Sequence, residues 1–110
     1  MGEKVEIKPP SQKTLDKYGL SAEQWMAILD GQGGVCAICK KVPSTFKFVV
    51  DHEHFKGFDE MPAEKRRKFV RGVLCKFCNR FYLAKGITAE KARNMAKYLS
   101  DYGFRRLQDP

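Results

Sequence analysis

Apolar side chains recur along this chain with two periods, and each period predicts a different element. Trp25, Ile28 and Leu29 fall at helical spacing behind Ser21-Ala22-Glu23-Gln24, a capping-box pattern, so a helix opens there. That spacing makes Trp25 a core anchor; base stacking is the other use for an indole. Gly31-Gln32-Gly33-Gly34 stops the helix. Phe46-Lys47-Phe48-Val49-Val50 and Phe69-Val70-Arg71-Gly72-Val73-Leu74 are β-branched and aromatic. They predict two strands paired as a hairpin, with Gly72 marking a bulge or a close approach. The strands are joined by a long loop from about Glu53 to Lys68, in which Pro62 starts a short helical turn. A short helix is expected over Asn79 to Lys85, ended by Gly86. A last helix begins at an N-cap Thr88, presents Ala92, Met95, Ala96 and Leu99 along one face, and stops at Gly103. Residues 1–13 are polar, contain Pro9-Pro10, and read as a flexible or extended arm.

These elements make an α+β chain of 110 residues, enough for one domain and too short for two independent cores. The expected division is an N-terminal arm over 1–17, the domain over 18–103 and a tail over 104–110. Charged residues are 31% of the chain, so the core is thin. Lys and Arg number 21 against 13 Asp and Glu, a net charge of +8. That surplus favours a polyanionic partner, most simply nucleic acid, over an incidentally basic surface. No apolar run approaches the ~20 residues a bilayer span needs, and Met1 to Pro10 lack the apolar core of a secretory signal. An intracellular setting without membrane partners is expected.

Four cysteines change the picture. Cys36-Ala37-Ile38-Cys39 and Cys75-Lys76-Phe77-Cys78 are two identical brackets around the predicted hairpin. In a reducing compartment such pairs hold metal more often than they form disulfides, the alternative being two disulfides. One closed tetrahedral zinc site of four thiolates is expected, joining the entrance of the hairpin to the helix at its exit. Lys40, Lys41, Lys76 and the start of that helix would offset its negative charge. Zinc binding of about 10–16 kcal/mol is part of folding in small zinc domains.

The brackets enclose Asp51-His52-Glu53-His54, and Asn79 stands directly behind the last cysteine. In a regular strand Asp51 and His52 point to opposite faces while His52 and His54 share one. The pattern therefore allows a His52/His54 metal pair. It allows Asp51 and His52 at one site only if the strand ends or bends there. A solvated loop pair for Asp51-His52 and helix capping for Asn79 are the plain alternatives.

Val35-Cys36-Ala37-Ile38-Cys39, Val50-Asp51-His52-Glu53-His54 and Val70-Arg71-Gly72-Val73-Leu74-Cys75-Lys76-Phe77-Cys78-Asn79 together resemble the recombination endonuclease VII family, within the HNH or ββα-metal nuclease superfamily. The likeness spans roughly residues 18–102. It implies a treble-clef-like hairpin and helix around a catalytic Mg²⁺ or Mn²⁺, stapled by a structural zinc, with flanking helices. It implies a metal-dependent endonuclease that hydrolyses phosphodiester bonds of duplex or branched DNA, as a monomer or weak homodimer. A phage origin, and so the cytoplasm of a bacterial host, goes with it. By position, Asp51 and Asn79 would ligate the catalytic ion, His52 would be the general base, and His54 would contact the scissile phosphate or support the metal. The family's phage enzyme carries a glutamate where this chain has Tyr82. Arg71, Lys76 and Arg80 are candidates to hold phosphates, and Lys65, Arg66, Arg67 and Lys68 to reach a DNA backbone. A zinc-dependent nucleic-acid-binding module without catalysis, and a protein-interaction zinc domain, are the competing readings.

Overall fold

A computed structural model of the protein describes residues 7–83 and 86–108, with 102–108 described by backbone alone. Among the described residues it is a small α+β fold with one two-stranded sheet and five helices. In order these are α1 (Gln12–Tyr18), α2 (Ala22–Gly31), β1 (Val49–His52), α3 (Ala63–Arg66), β2 (Val70–Leu74), α4 (Lys76–Cys78) and α5 (Ala89–Gln108). A 3₁₀ turn, Arg67–Phe69, leads into β2, and a π-helical turn, Asn79–Leu83, continues α4.

The capping box opens α2 as its sequence predicts: Ser21 Oγ accepts from Gln24 N–H at 3.0 Å while Gln24 Oε1 accepts from Ser21 N–H at 2.8 Å. Trp25 and Leu29 of its inner face are buried, with Trp25 meeting Phe48 edge-on at 6.5 Å. α1 has no counterpart in the predicted elements. Its seven residues offer only Leu15 and Tyr18 to the core, too few to show a period, yet both are buried. Gly19 ends it in the left-handed region at φ 66°. A Cβ there would stand 2.1 Å from the Ala63 carbonyl oxygen, so α1 and α3 are in backbone contact.

Several boundaries differ from the predicted ones. The first strand was expected over Phe46–Val50 and instead runs Val49–His52. A turn closed by Phe46 N–H on the Pro43 carbonyl at 2.8 Å, with Phe46 itself at φ 56°, prevents extension until Val49. The last helix does start behind Thr88, whose Oγ1 accepts from Lys91 N–H at 3.1 Å, but it passes Gly103 and reaches Gln108. One glycine in a helix costs only about 1 kcal/mol relative to alanine, and helix formers follow it. The short helix expected over Asn79–Lys85 begins earlier, at Lys76, because Cys75 caps it; Lys85 lies outside the described residues.

β1 and β2 pair antiparallel, Val49 with Leu74 and Asp51 with Gly72, and then His52 with Val70. Arg71 is the extra residue in this bulge, adjacent to the glycine that signalled it. A sheet of two strands is marginal in water. Gln32 supplies part of a third: its Oε1 accepts from Val73 N–H at 2.9 Å, and its Nε2 donates to the carbonyls of Val73 at 2.8 Å and Val35 at 3.0 Å. Gly72 makes room, since a Cβ there would come within 2.7 Å of Gln32 Oε1. The glycine-rich segment read only as a helix stop therefore also edges the sheet.

Replacing Gln32 by alanine leaves the buried Val73 N–H without its acceptor, so Gln32→Ala is expected to lower unfolding free energy by about 2–4 kcal/mol in urea titrations. Gly31→Ala, where a Cβ meets nothing within 4 Å, is expected to be neutral or to stabilise by up to about 1 kcal/mol.

Candidate metal centres

The two cysteine brackets arrive at one place by different local rules. Behind Cys36 the chain turns tightly: Lys40 N–H donates to the Cys36 carbonyl and Cys36 N–H to the Lys41 carbonyl, both at 3.0 Å, with Lys40 at φ 61°. Cys75 is the N-cap of α4, its Sγ accepting from Cys78 N–H at 3.4 Å. The Sγ atoms of Cys36, Cys39, Cys75 and Cys78 all lie within 4.8 Å of one another, and the Cys39–Cys75 pair is 3.9 Å apart. All four are free thiols. Four sulfurs at about 2.3 Å from one tetrahedral ion stand roughly 3.8 Å apart, so the cluster needs only slight contraction to hold a metal. Burial opposes ionisation of Cys36, but N–H donors of Cys75, Cys39 and Ile38 outweigh it and bring that thiol down to about 6. Burial and the neighbouring thiols push Cys78 up. Four close thiols hold one anion readily and more only with a cation among them.

The second cluster sits where β1 ends. Asp51 is 3% exposed, and Arg71 grips its carboxylate with both arms, Nε to Oδ2 at 2.8 Å and Nη2 to Oδ1 at 3.0 Å. His54 Nε2 lies 3.9 Å from Oδ1. His52 lies flat on Phe58, ring centroids 4.0 Å apart and planes 16° from parallel, with Tyr18 at 5.5 Å and His54 at 4.5 Å. The strand ends at His52, and His54, past that end, stands beside both Asp51 and His52. Burial lowers the pKa of His52 below its usual 6.5, and the nearby His54 adds to the effect, so the ring is a neutral base near pH 7.

Asn79 opens the π-helical turn, half-buried, its N–H on the Cys75 carbonyl at 3.1 Å, and that turn packs against β1. Asp51, His52 and His54 thus share one locality, and the four-sulfur cluster carries Asn79 on the element beside it. Asp51 and Asn79 offer carboxylate and carboxamide oxygens, the donor type a hard cation takes. Both oxygens of Asp51 are held by Arg71, and His54 Nε2 stands 3.9 Å from Oδ1.

The basic residues divide. Lys65, Arg67, Lys76 and Arg80 are exposed as expected. Arg66 turns inward instead, donating to the carbonyls of Met61 at 2.9 Å, Asp59 at 3.3 Å and Lys17, so it fastens the long loop to α1. Arg71 is likewise placed on Asp51 rather than outward. Tyr82 is exposed and meets Phe77 edge-on at 5.8 Å. Phe58 and Tyr18, the platform of His52, carried no sequence signal of that role: Phe58 shares its loop with Phe55, and Tyr18 lies 34 positions before His52.

A family model for recombination endonuclease VII matches residues 11–101, and the chain belongs to that family. It is 38% identical over 72 residues to the Gene 59 protein of Mycobacterium phage D29, and 33% identical over 72 residues to the Gene 59 protein of Mycobacterium phage L5. Each match covers 64% of this chain and 37% of the relative, so the aligned region is little more than a third of those phage proteins. No solved structure matches the chain significantly. Among the described residues, no helix is long and apolar enough to cross a membrane.

Burial of the His52 ring gives a pH prediction. Since the folded state resists protonating it, the unfolded chain binds the additional proton as pH falls below 6.5. The corresponding stability is present above that value and is lost as pH drops through the folded midpoint. Phe58→Ala, which hydrates the ring, is expected to move the His52 midpoint up toward 6.5 in an NMR titration of magnesium-free protein. An unchanged midpoint would show that Phe58 does not set it.

Proposed function

We propose that the protein is a metal-dependent DNA endonuclease of the HNH type, with zinc in the four-cysteine cluster and Mg²⁺ or Mn²⁺ held by Asp51 and Asn79. The observation that carries this reading is the meeting, at the end of β1, of a buried carboxylate with His54 beside it and a desolvated, neutral His52. A hard cation there would neutralise charge developing at the leaving 3′ oxygen. His52 takes the proton of the attacking water; its stacking on Phe58 fixes the ring plane, and its lowered pKa keeps the accepting nitrogen free. His54, 34% exposed, faces solvent beside Asp51 and is placed to contact the scissile phosphate. Exposed Lys65, Arg67, Lys76 and Arg80 hold the flanking phosphates, their charges complementing the DNA backbone. Membership of the endonuclease VII family and a net charge of +8 support DNA as substrate, and phage relatives support a setting in the host cytoplasm.

One observation favours a second reading. Both oxygens of Asp51 are already paired with Arg71, which suits a nucleic-acid-binding module whose carboxylate is purely structural.

Plasmid nicking decides between them. The endonuclease reading predicts Mg²⁺- or Mn²⁺-dependent nicking that falls at least about a hundredfold in His52→Ala, with zinc retained. Salt-sensitive DNA binding without nicking under either metal would establish the binding module. Zinc is tested separately. The purified protein is expected to carry one zinc per chain, with its four thiols unreactive until a strong chelator is added, when cooperative thermal unfolding disappears. Four freely titrating thiols in a folded protein would refute the zinc assignment.

A further inference from the structure

Arg71 is the one residue whose placement the proposed chemistry leaves unexplained. It is the extra residue of the β-bulge, which turns it onto the carboxylate of Asp51 across the sheet. Nε reaches Oδ2 at 2.8 Å and Nη2 reaches Oδ1 at 3.0 Å, and Oδ1 is the oxygen that faces His54. Asp51 is only 3% exposed, and Oδ1 is its oxygen on the side of His54, where the proposed phosphate contact stands. The Arg71 side chain is 40% exposed, so its outer nitrogens have open water to move into.

We infer that Arg71 is a resident counter-ion that holds Asp51 ready for a divalent ion and is partly displaced by it. The Nη2–Oδ1 contact is released while the Nε–Oδ2 contact persists, and the freed Nη2 turns outward to a DNA phosphate. Physical reasons support each part. An unpaired carboxylate this deeply buried would be destabilising, and the guanidinium of Arg71 pairs it. A divalent ion on Oδ1 repels a guanidinium on the same oxygen, and its shorter bonds at about 2.1 Å exclude an N–H donor from the same lone pair. Arginine suits the task because its fork can give up one arm and keep the other, which a lysine ammonium cannot do. A bidentate pair that can open at one arm is compatible with Asp51 as a ligand and does not require it to be purely structural. The inference rests on the reading of Asp51 as a metal ligand.

Two measurements on zinc-loaded protein test it, and neither reads cleavage. In the first, side-chain NMR follows the Asp51 carboxyl carbon and the Arg71 nitrogens as Mg²⁺ is added. The expected result is a saturable shift of the Asp51 carbon together with the Nη2 protons, while the Nε–H signal keeps its hydrogen-bonded position. A shifted Asp51 carbon with unmoved Nη2 protons, or with Nε–H also released, overturns the inference and leaves the metal site standing. An Asp51 carbon unmoved at any Mg²⁺ concentration overturns the metal site itself, and the inference with it. In the second, Arg71→Gln is titrated with Mn²⁺ by calorimetry. Removal of the competing charge is expected to tighten binding at least tenfold, and equal or weaker binding in a folded, zinc-loaded variant contradicts displacement. Should Arg71→Gln not fold, the wild-type NMR titration alone decides.

Discussion

The convergence of four sulfurs is the constraint from which the rest of the architecture follows. The protein offers a two-stranded sheet, several short helices and a sparse core, none of which is stable alone. Cys36 and Cys39 stand ahead of β1, while Cys75 and Cys78 follow β2 directly. Drawing the four sulfurs within 4.8 Å closes the hairpin at its base and fixes where α4 begins. Through Cys75 the same cluster sets the position of the π-helical turn against β1, and so the position of Asn79. Gln32 on Val73 secures the same end of the hairpin, and Arg66 on the loop carbonyls secures the loop at its far end. Between those anchors the strand is free to end at His52, and chemistry-bearing residues gather there.

That site is organised by burial as much as by charge. Asp51 lies among residues that exclude water, which makes a cationic partner obligatory rather than optional. His52 occupies an aromatic setting of Phe58 and Tyr18, so its ring is oriented and kept neutral by the same contacts. Asp51 and His52 are adjacent in sequence, yet one is held by a guanidinium and the other by aromatic rings. The bulge on the partner strand, with Arg71 as its extra residue, shifts the pairing just where β1 ends.

Much of this was legible in the chain, and what was not has identifiable causes. The capping box, the cysteine brackets, the hairpin with its glycine-marked irregularity and the N-cap at Thr88 are signals carried by a few residues in a row, and all reappear in the fold. α1 escaped because two apolar residues in seven cannot display a period; only tertiary packing reveals that Leu15 and Tyr18 are interior. The start of β1 was misplaced because Phe46 has strand-like composition but sits in a turn, and composition does not report φ. Asp51, His52, His54 and Asn79 stood out by type and order, and the fold puts the first three at the end of β1 and Asn79 on the turn packed against it. The placements of Phe58, Gln32, Arg66 and Arg71 depend on partners up to 49 positions away or on a bulge, and no local pattern encodes them. Arginines in particular look alike in a sequence whether they face solvent or a buried carboxylate.

The central claim is that one polypeptide carries two cation sites of different chemistry, a sulfur site that builds the fold and an oxygen–nitrogen site that acts on DNA. Anomalous diffraction from a single crystal grown with zinc and soaked in manganese addresses it most directly. The account predicts a zinc peak among Cys36, Cys39, Cys75 and Cys78 and a separate manganese peak bonded to Asp51. Zinc absent from the sulfurs, or manganese scattered over surface carboxylates with none at Asp51, would contradict it.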